Sequence, residues 1–221
     1  MEEQRIFSQL ANLHYFNICE HCLIVDRDMR RSSPGHICTN CNKPGSGSIG
    51  YFNLGVYEIL SLMEGFYNLE IKESSQEFNE YIKDKNIHHI SFIIFFCSLA
   101  EILLTNFFHH YFEKEKLPKK IRNRLFDDNI LVKQKIEKLF PSLIGIKWKD
   151  AVTIVDEKSK YNYKKTLDFY RKVVRIRNEL IHRGNSWLIP DEMPINCLRN
   201  TIPLTQLFVD LHNEFIATKY A

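Results

Sequence analysis

A chain of 221 residues with 44% apolar and 26% charged side chains is long enough for one sizeable domain, or for a domain with a small module. That composition excludes a disordered, collagenous or low-complexity protein. The formal net charge of +3 hides an imbalance: residues 114–183 hold 20 Lys and Arg against 9 Asp and Glu, and the remainder is net acidic.

Such asymmetry points to a polyanionic partner approached from one side, although Lys-rich solvated helix faces would give the same count. The N-terminus MEEQRIFSQL is acidic and has no long apolar core, so no signal peptide is expected and the expected location is cytoplasmic. Cys19, Cys22, Cys38 and Cys41 follow as C-x2-C-x15-C-x2-C. Each pair has the spacing that lets two thiolates converge on one tetrahedral ion, which predicts structural zinc. Four thiolates leave no position for water, so no catalytic metal is expected. The intervening LIVDRDMRRSSPGHI reads as a short hairpin, making the module a zinc ribbon. His21 and His36 read as neighbours of the cysteines. Arg27, Arg30 and Arg31 read either as contacts to nucleic acid or protein, or as a charged loop.

NKPGSGSIG (42–50) reads as a linker, dividing a zinc-ribbon module (1–50) from an all-α domain (51–221). Helices are predicted over about 54–69, weakly over 78–83, then over 87–113, 118–126, 129–140, 161–183 and 202–218. Thr201 is expected to cap the last helix with Pro203 in its first turn, and Gly184 to end the one before. The apolar run 91–108 approaches membrane-spanning length but carries Ser98, Glu101, Thr105 and Asn106, so it reads as the buried centre of a bundle and no membrane is expected. Ser98, Glu101, Thr105 and His109 share one stripe of that helix. His88-His89 and His109-His110 have no accompanying ligand pattern, and Cys97 and Cys197 read as small packed hydrophobes. In residues 158–172, Tyr161 and Tyr163 are left as candidates for base stacking.

The segment RIRNELIHRG (175–184) places Arg177 inside an apolar arc made by Leu167, Phe169, Tyr170, Val173, Val174, Ile176, Leu180 and Ile181. A buried guanidinium needs a partner or a task, and Glu101 has the complementary problem. A salt bridge that fixes helix register would satisfy both. The run RNELIH (177–182) also resembles the R-x4-6-H signature of the HEPN superfamily, commonly R-N-x3-H, and Arg175 gives a second register with His182. The resemblance spans roughly residues 55–218. It implies a HEPN-like helical bundle and a metal-independent endoribonuclease, of the kind found in toxin-antitoxin and phage-defence systems, acting as a homodimer whose two motifs meet. RNA would be the substrate and an antitoxin or regulatory protein a possible partner. Arg177 would hold the phosphate, His182 would transfer protons, Asn178 would orient phosphate or imidazole, and Glu101 would orient Arg177. Two other readings remain: a non-catalytic HEPN module binding nucleic acid or protein, and a zinc-ribbon adaptor with a helical dimerisation domain.

Overall fold

The computed structural model describes residues 16–26, 37–44, 49–73, 86–184 and 189–217. Arg27, Arg30, Arg31, His36, most of the expected inter-knuckle hairpin and the weak helix at 78–83 lie outside them. Three two-residue strands, β1 (Asn17–Ile18), β2 (Val25–Asp26) and β3 (Ile49–Gly50), form an antiparallel sheet in the order β2-β1-β3. Ile18 lies opposite both Val25 and Ile49. The remaining described elements are helical.

Helices α1 (Leu54–Glu73) and α2 (Asn86–Lys114) pack as an antiparallel pair, as ring contacts between Tyr67 and Phe92 and between Phe66 and Phe95 show. Short helices follow: α3 (Lys119–Asp127), α4 (Val132–Gln134), a π-helical turn (Lys135–Leu139) and α5 (Phe140–Ile144). Then come α6 (Trp148–Lys158), α7 (Tyr163–Arg183) and α8 (Met193–Phe215). The π turn stands where Pro141, having no N–H, cannot return a bond to the Glu137 carbonyl, and the widened ladder absorbs that loss.

α2 is the centre. Phe92, Phe96, Leu99, Leu103, Phe107 and Phe108 are all at most 1% exposed, and the helix packs against α1, α7 and α8. It is the one helix among the described residues long and apolar enough to cross a membrane, and 56% of its apolar window is buried within the fold. Phe16, Ile18 and Val25 join the same core as the helices. Asn213 fastens β2 to α8 as a neighbouring strand would, accepting from Val25 N at 2.7 Å and donating to Val25 O at 2.8 Å.

Two expectations about the ends of helices fail and one holds. α8 begins at Met193 instead of near 202, so Thr201 lies mid-helix, donating its hydroxyl to the Cys197 carbonyl at 2.9 Å, and Pro203 is interior. Thr205 bonds the carbonyls of Thr201 and Ile202 next to that proline, at 3.1 and 2.8 Å. Gly184 does end α7, in the left-handed conformation at φ 66°, its N–H returning to Leu180 O at 2.9 Å. Helix α6 was not expected at all. Its V-T-I-V run is β-branched, while Trp148, Ala151, Val152 and Val155 have helical spacing and are all buried.

Candidate functional sites

The two cysteine pairs sit in turns of the same design. Leu23 N donates to Cys19 O at 2.8 Å and Cys19 N to Ile24 O at 2.9 Å; Asn42 N donates to Cys38 O at 2.9 Å and Cys38 N to Lys43 O at 3.0 Å. In each turn the fifth residue is left-handed, Leu23 at φ 61° and Asn42 at φ 54°. Asn tolerates that conformation; for Leu23 its β carbon costs about 1–2 kcal/mol. The pairing straddles each turn, β1 with β2 around the first and an Ile37–Pro44 bridge around the second. Among the described residues β2 pairs with β1, and the rest of the hairpin expected between the turns lies outside them.

All four Sγ atoms lie within 4.8 Å of one another. The Cys22–Cys38 and Cys19–Cys41 sulfur separations are 3.7 and 3.9 Å. A tetrahedron with metal–sulfur bonds of about 2.3 Å has edges of about 3.8 Å, so the geometry fits a four-coordinate ion. No disulfide joins them. Burial pushes the Cys19 thiol up to about 12, a penalty that a bound cation's charge would reverse. Exposed His21 reaches across to the second turn, its Nε2 3.2 Å from Pro44 O. Among the described residues these cysteines are the one group of three or more potential ligands that converges.

The second constellation lies between α2, α7 and the π turn. Arg177 and Glu101 meet at 3.7 Å, with side chains 34% and 42% exposed. The pair therefore forms, but the expected burial of Arg177 does not, because the long side chain carries its charge to the rim of the apolar arc. At 3.7 Å the contact is Coulombic and beyond hydrogen bonding, so the guanidinium fork is not consumed by Glu101. Next along the stripe, Thr105 accepts from Lys135 Nζ at 3.2 Å, and that ammonium stands 5.4 Å over the Phe126 ring. Desolvation lowers the Lys135 pKa, and Glu101 opposes the shift. His109, at the end of the stripe, meets Phe126 edge-on at 5.1 Å, and desolvation lowers its pKa too. Cys97 beside the pair is pushed up to about 12 by burial.

Asn178 and His182 are exposed on the last turns of α7, and among the described residues neither has a side-chain partner. Four residues separate Arg177 from His182, a step of five positions and about 140° around the helix at 100° per residue. Arg177 thus faces Glu101 while His182 faces outward. Lys135 was not foreseen: the π turn that aims it at Thr105 has no local signature. Tyr163 is buried and hydrogen-bonded to Asp210, so it is a packing residue and not a base-stacking platform.

No protein-family model, curated protein or solved structure matches the chain.

Proposed function

We propose that the chain is a HEPN-type endoribonuclease with an N-terminal four-cysteine zinc ribbon. The observation that carries this reading is a set of polar groups with no structural employment. Arg177 meets Glu101 beyond hydrogen-bonding distance, and among the described residues Asn178 and His182 stand exposed and without side-chain partners on the same helix. A guanidinium set in an apolar arc is a group that folding alone would not choose, and such departures cluster at sites of function.

The reaction uses RNA's own 2′-hydroxyl as nucleophile. It attacks the adjacent phosphorus, the bond to the 5′-oxygen breaks, and the products are a 2′,3′-cyclic phosphate and a 5′-hydroxyl. His182 supplies the imidazole that takes the 2′-hydroxyl proton, and a proton returns to the departing 5′-oxygen to leave it as a hydroxyl. Arg177 grips two phosphate oxygens and tightens as negative charge grows. Asn178 orients phosphate or imidazole, and Glu101 orients Arg177. Arg177 and His182 of one α7 diverge by about 140°, which favours a composite site in a homodimer, one copy's Arg177 meeting the other's His182. Ile181, 55% exposed between them, adds apolar surface for that contact. Zinc at Cys19, Cys22, Cys38 and Cys41 would hold the two turns together and do no chemistry.

The test is RNA cleavage by purified wild type, Arg177→Ala and His182→Ala, each checked by thermal melt. Both variants should stay folded, Arg177→Ala melting at most slightly below wild type, and cut no RNA. Cleavage equal to wild type in either would end the assignment.

A further inference from the structure

The face of α7 that carries His182 continues along the whole helix. Lys164, Asp168, Arg171, Arg175, Asn178 and His182 follow at steps of three and four residues, which keeps them within about 40° of one line. All six are exposed. At its upstream end the line opens on a cavity of about 230 Å³ between α6 and α7. The lining is apolar at Trp148, Val152 and Leu167, and its charged residues are three cations, Lys149, Lys164 and Arg171, and one carboxylate, Asp168. Carboxylates hold two of those cations at the mouth: Asp168 pairs with Arg171 at 2.6 Å and Asp156 with Lys164 at 3.7 Å. Lys149 has no carboxylate partner among the described residues. The Trp148 ring is fixed edge-on against Phe140 at 5.0 Å and is 9% exposed.

We infer that this cavity receives one unpaired base of a single-stranded RNA whose backbone then runs along α7 to His182. The inference rests on the ribonuclease reading above. Single strands are bound by apolar and aromatic surfaces that take the base faces and by cations that track the phosphates, and this lining supplies both. Pockets that enclose whole drug-sized ligands measure about 300–1,000 Å³, so this one suits a single planar ring system. A duplex keeps its bases stacked inward and cannot offer one. A free nucleotide would fill the cavity but leave Arg175 and the rest of the line without a role. Arg171 and His182 are eleven residues apart, about 17 Å along the axis. The pocket therefore sets the cut a few nucleotides from the bound base.

The chain has two tryptophans, Trp148 and Trp187, so a Trp187→Phe/His182→Ala protein reports on Trp148 alone and leaves RNA intact. The probe is a 2′-O-methyl hexaadenylate, which carries no nucleophile, with 5′-AMP as the mononucleotide control. The hexamer should quench Trp148 emission saturably, and Lys149→Gln/Arg171→Gln should weaken its Kd by about tenfold or more. Leu167→Phe, which narrows the cavity from a half-buried position of its lining, should abolish the quench in a protein that keeps its helical circular dichroism. AMP as tight as the hexamer would reassign the pocket to a free nucleotide and overturn the strand track. Hexamer binding with silent Trp148 and no effect of the Gln pair would overturn the pocket while leaving any measured cleavage by wild type, and so the ribonuclease reading, intact. A quench that behaves as expected in a protein whose wild type cuts no RNA would instead remove the ribonuclease reading and keep the pocket.

Discussion

Arg177 holds a charge at the edge of an apolar face, paired with Glu101 at 3.7 Å, with both side chains about one-third or more exposed. Pairs so placed contribute about 0–1 kcal/mol, because solvent screens them. Arg177→Ala should therefore lower stability by about 1 kcal/mol or less in urea titration, where a fully buried pair would lose about 3–5 kcal/mol. Arg177→Lys should keep the charge, lose the planar fork, and reduce cleavage by about a hundredfold or more with the melting temperature unchanged. His212 is the contrasting case. It is fully buried, Nε2 donates to Leu23 O at 2.7 Å, Nδ1 has no partner, and burial holds its pKa down to about 3. Its unfolded pKa is near 6.5, so below that pH the unfolded chain binds the extra proton. The stability it contributes is full above about pH 6.5 and is lost as pH falls toward about 3. His212→Gln, which still has an N–H to donate but does not titrate, should lose less stability than wild type between pH 7 and pH 5.5 in thermal melts.

At the scale of the element, the last turn of α7 is the one on which the proposed chemistry depends. Gly184 closes it at φ 66°, with open space where a β carbon would sit. Gly184→Ala should therefore cost only its backbone penalty, about 1 kcal/mol by urea titration, and Gly184→Asn less. What the sequence disclosed and what it concealed divide along the same line. The cysteine spacing, the periodicity of α1, α2 and α7 and the Gly184 stop are local patterns, and they were legible. The start of α8 was not, because Thr201 and Pro203 look like a cap and first turn, whereas in the fold Thr201 bonds back to Cys197 and the packed helix tolerates the proline. The Arg177–Glu101 pair could be anticipated from two misplaced charges. Lys135 on Thr105, Asn213 on β2 and the α6–α7 cavity are made by residues far apart in sequence, and no spacing announces them.

Over the whole molecule, the strands that flank the first cysteine turn join the core of the helices, while the cysteines form a small cluster of their own. Leu23 accepts from His212, Asn213 clasps Val25, and Tyr51 stacks on His110 at 4.9 Å while its hydroxyl donates to Phe208 O at 3.1 Å. Loss of metal should therefore be felt beyond the turns. Metal analysis should find about one zinc per chain, and Cys19→Ser/Cys22→Ser should lose it and lower the melting temperature of the helices followed by circular dichroism. Light scattering at micromolar concentration should give twice the mass of one chain, as a composite site requires. The most direct test of the central claim is end-group analysis of RNA incubated with wild type and His182→Ala in EDTA, beside the same RNA bearing a single 2′-deoxy residue at the mapped cut. The account predicts 2′,3′-cyclic phosphate and 5′-hydroxyl ends from wild type alone, with the deoxy position spared. Cutting at the deoxy position, 5′-phosphate ends, or equal cleavage by His182→Ala would contradict it.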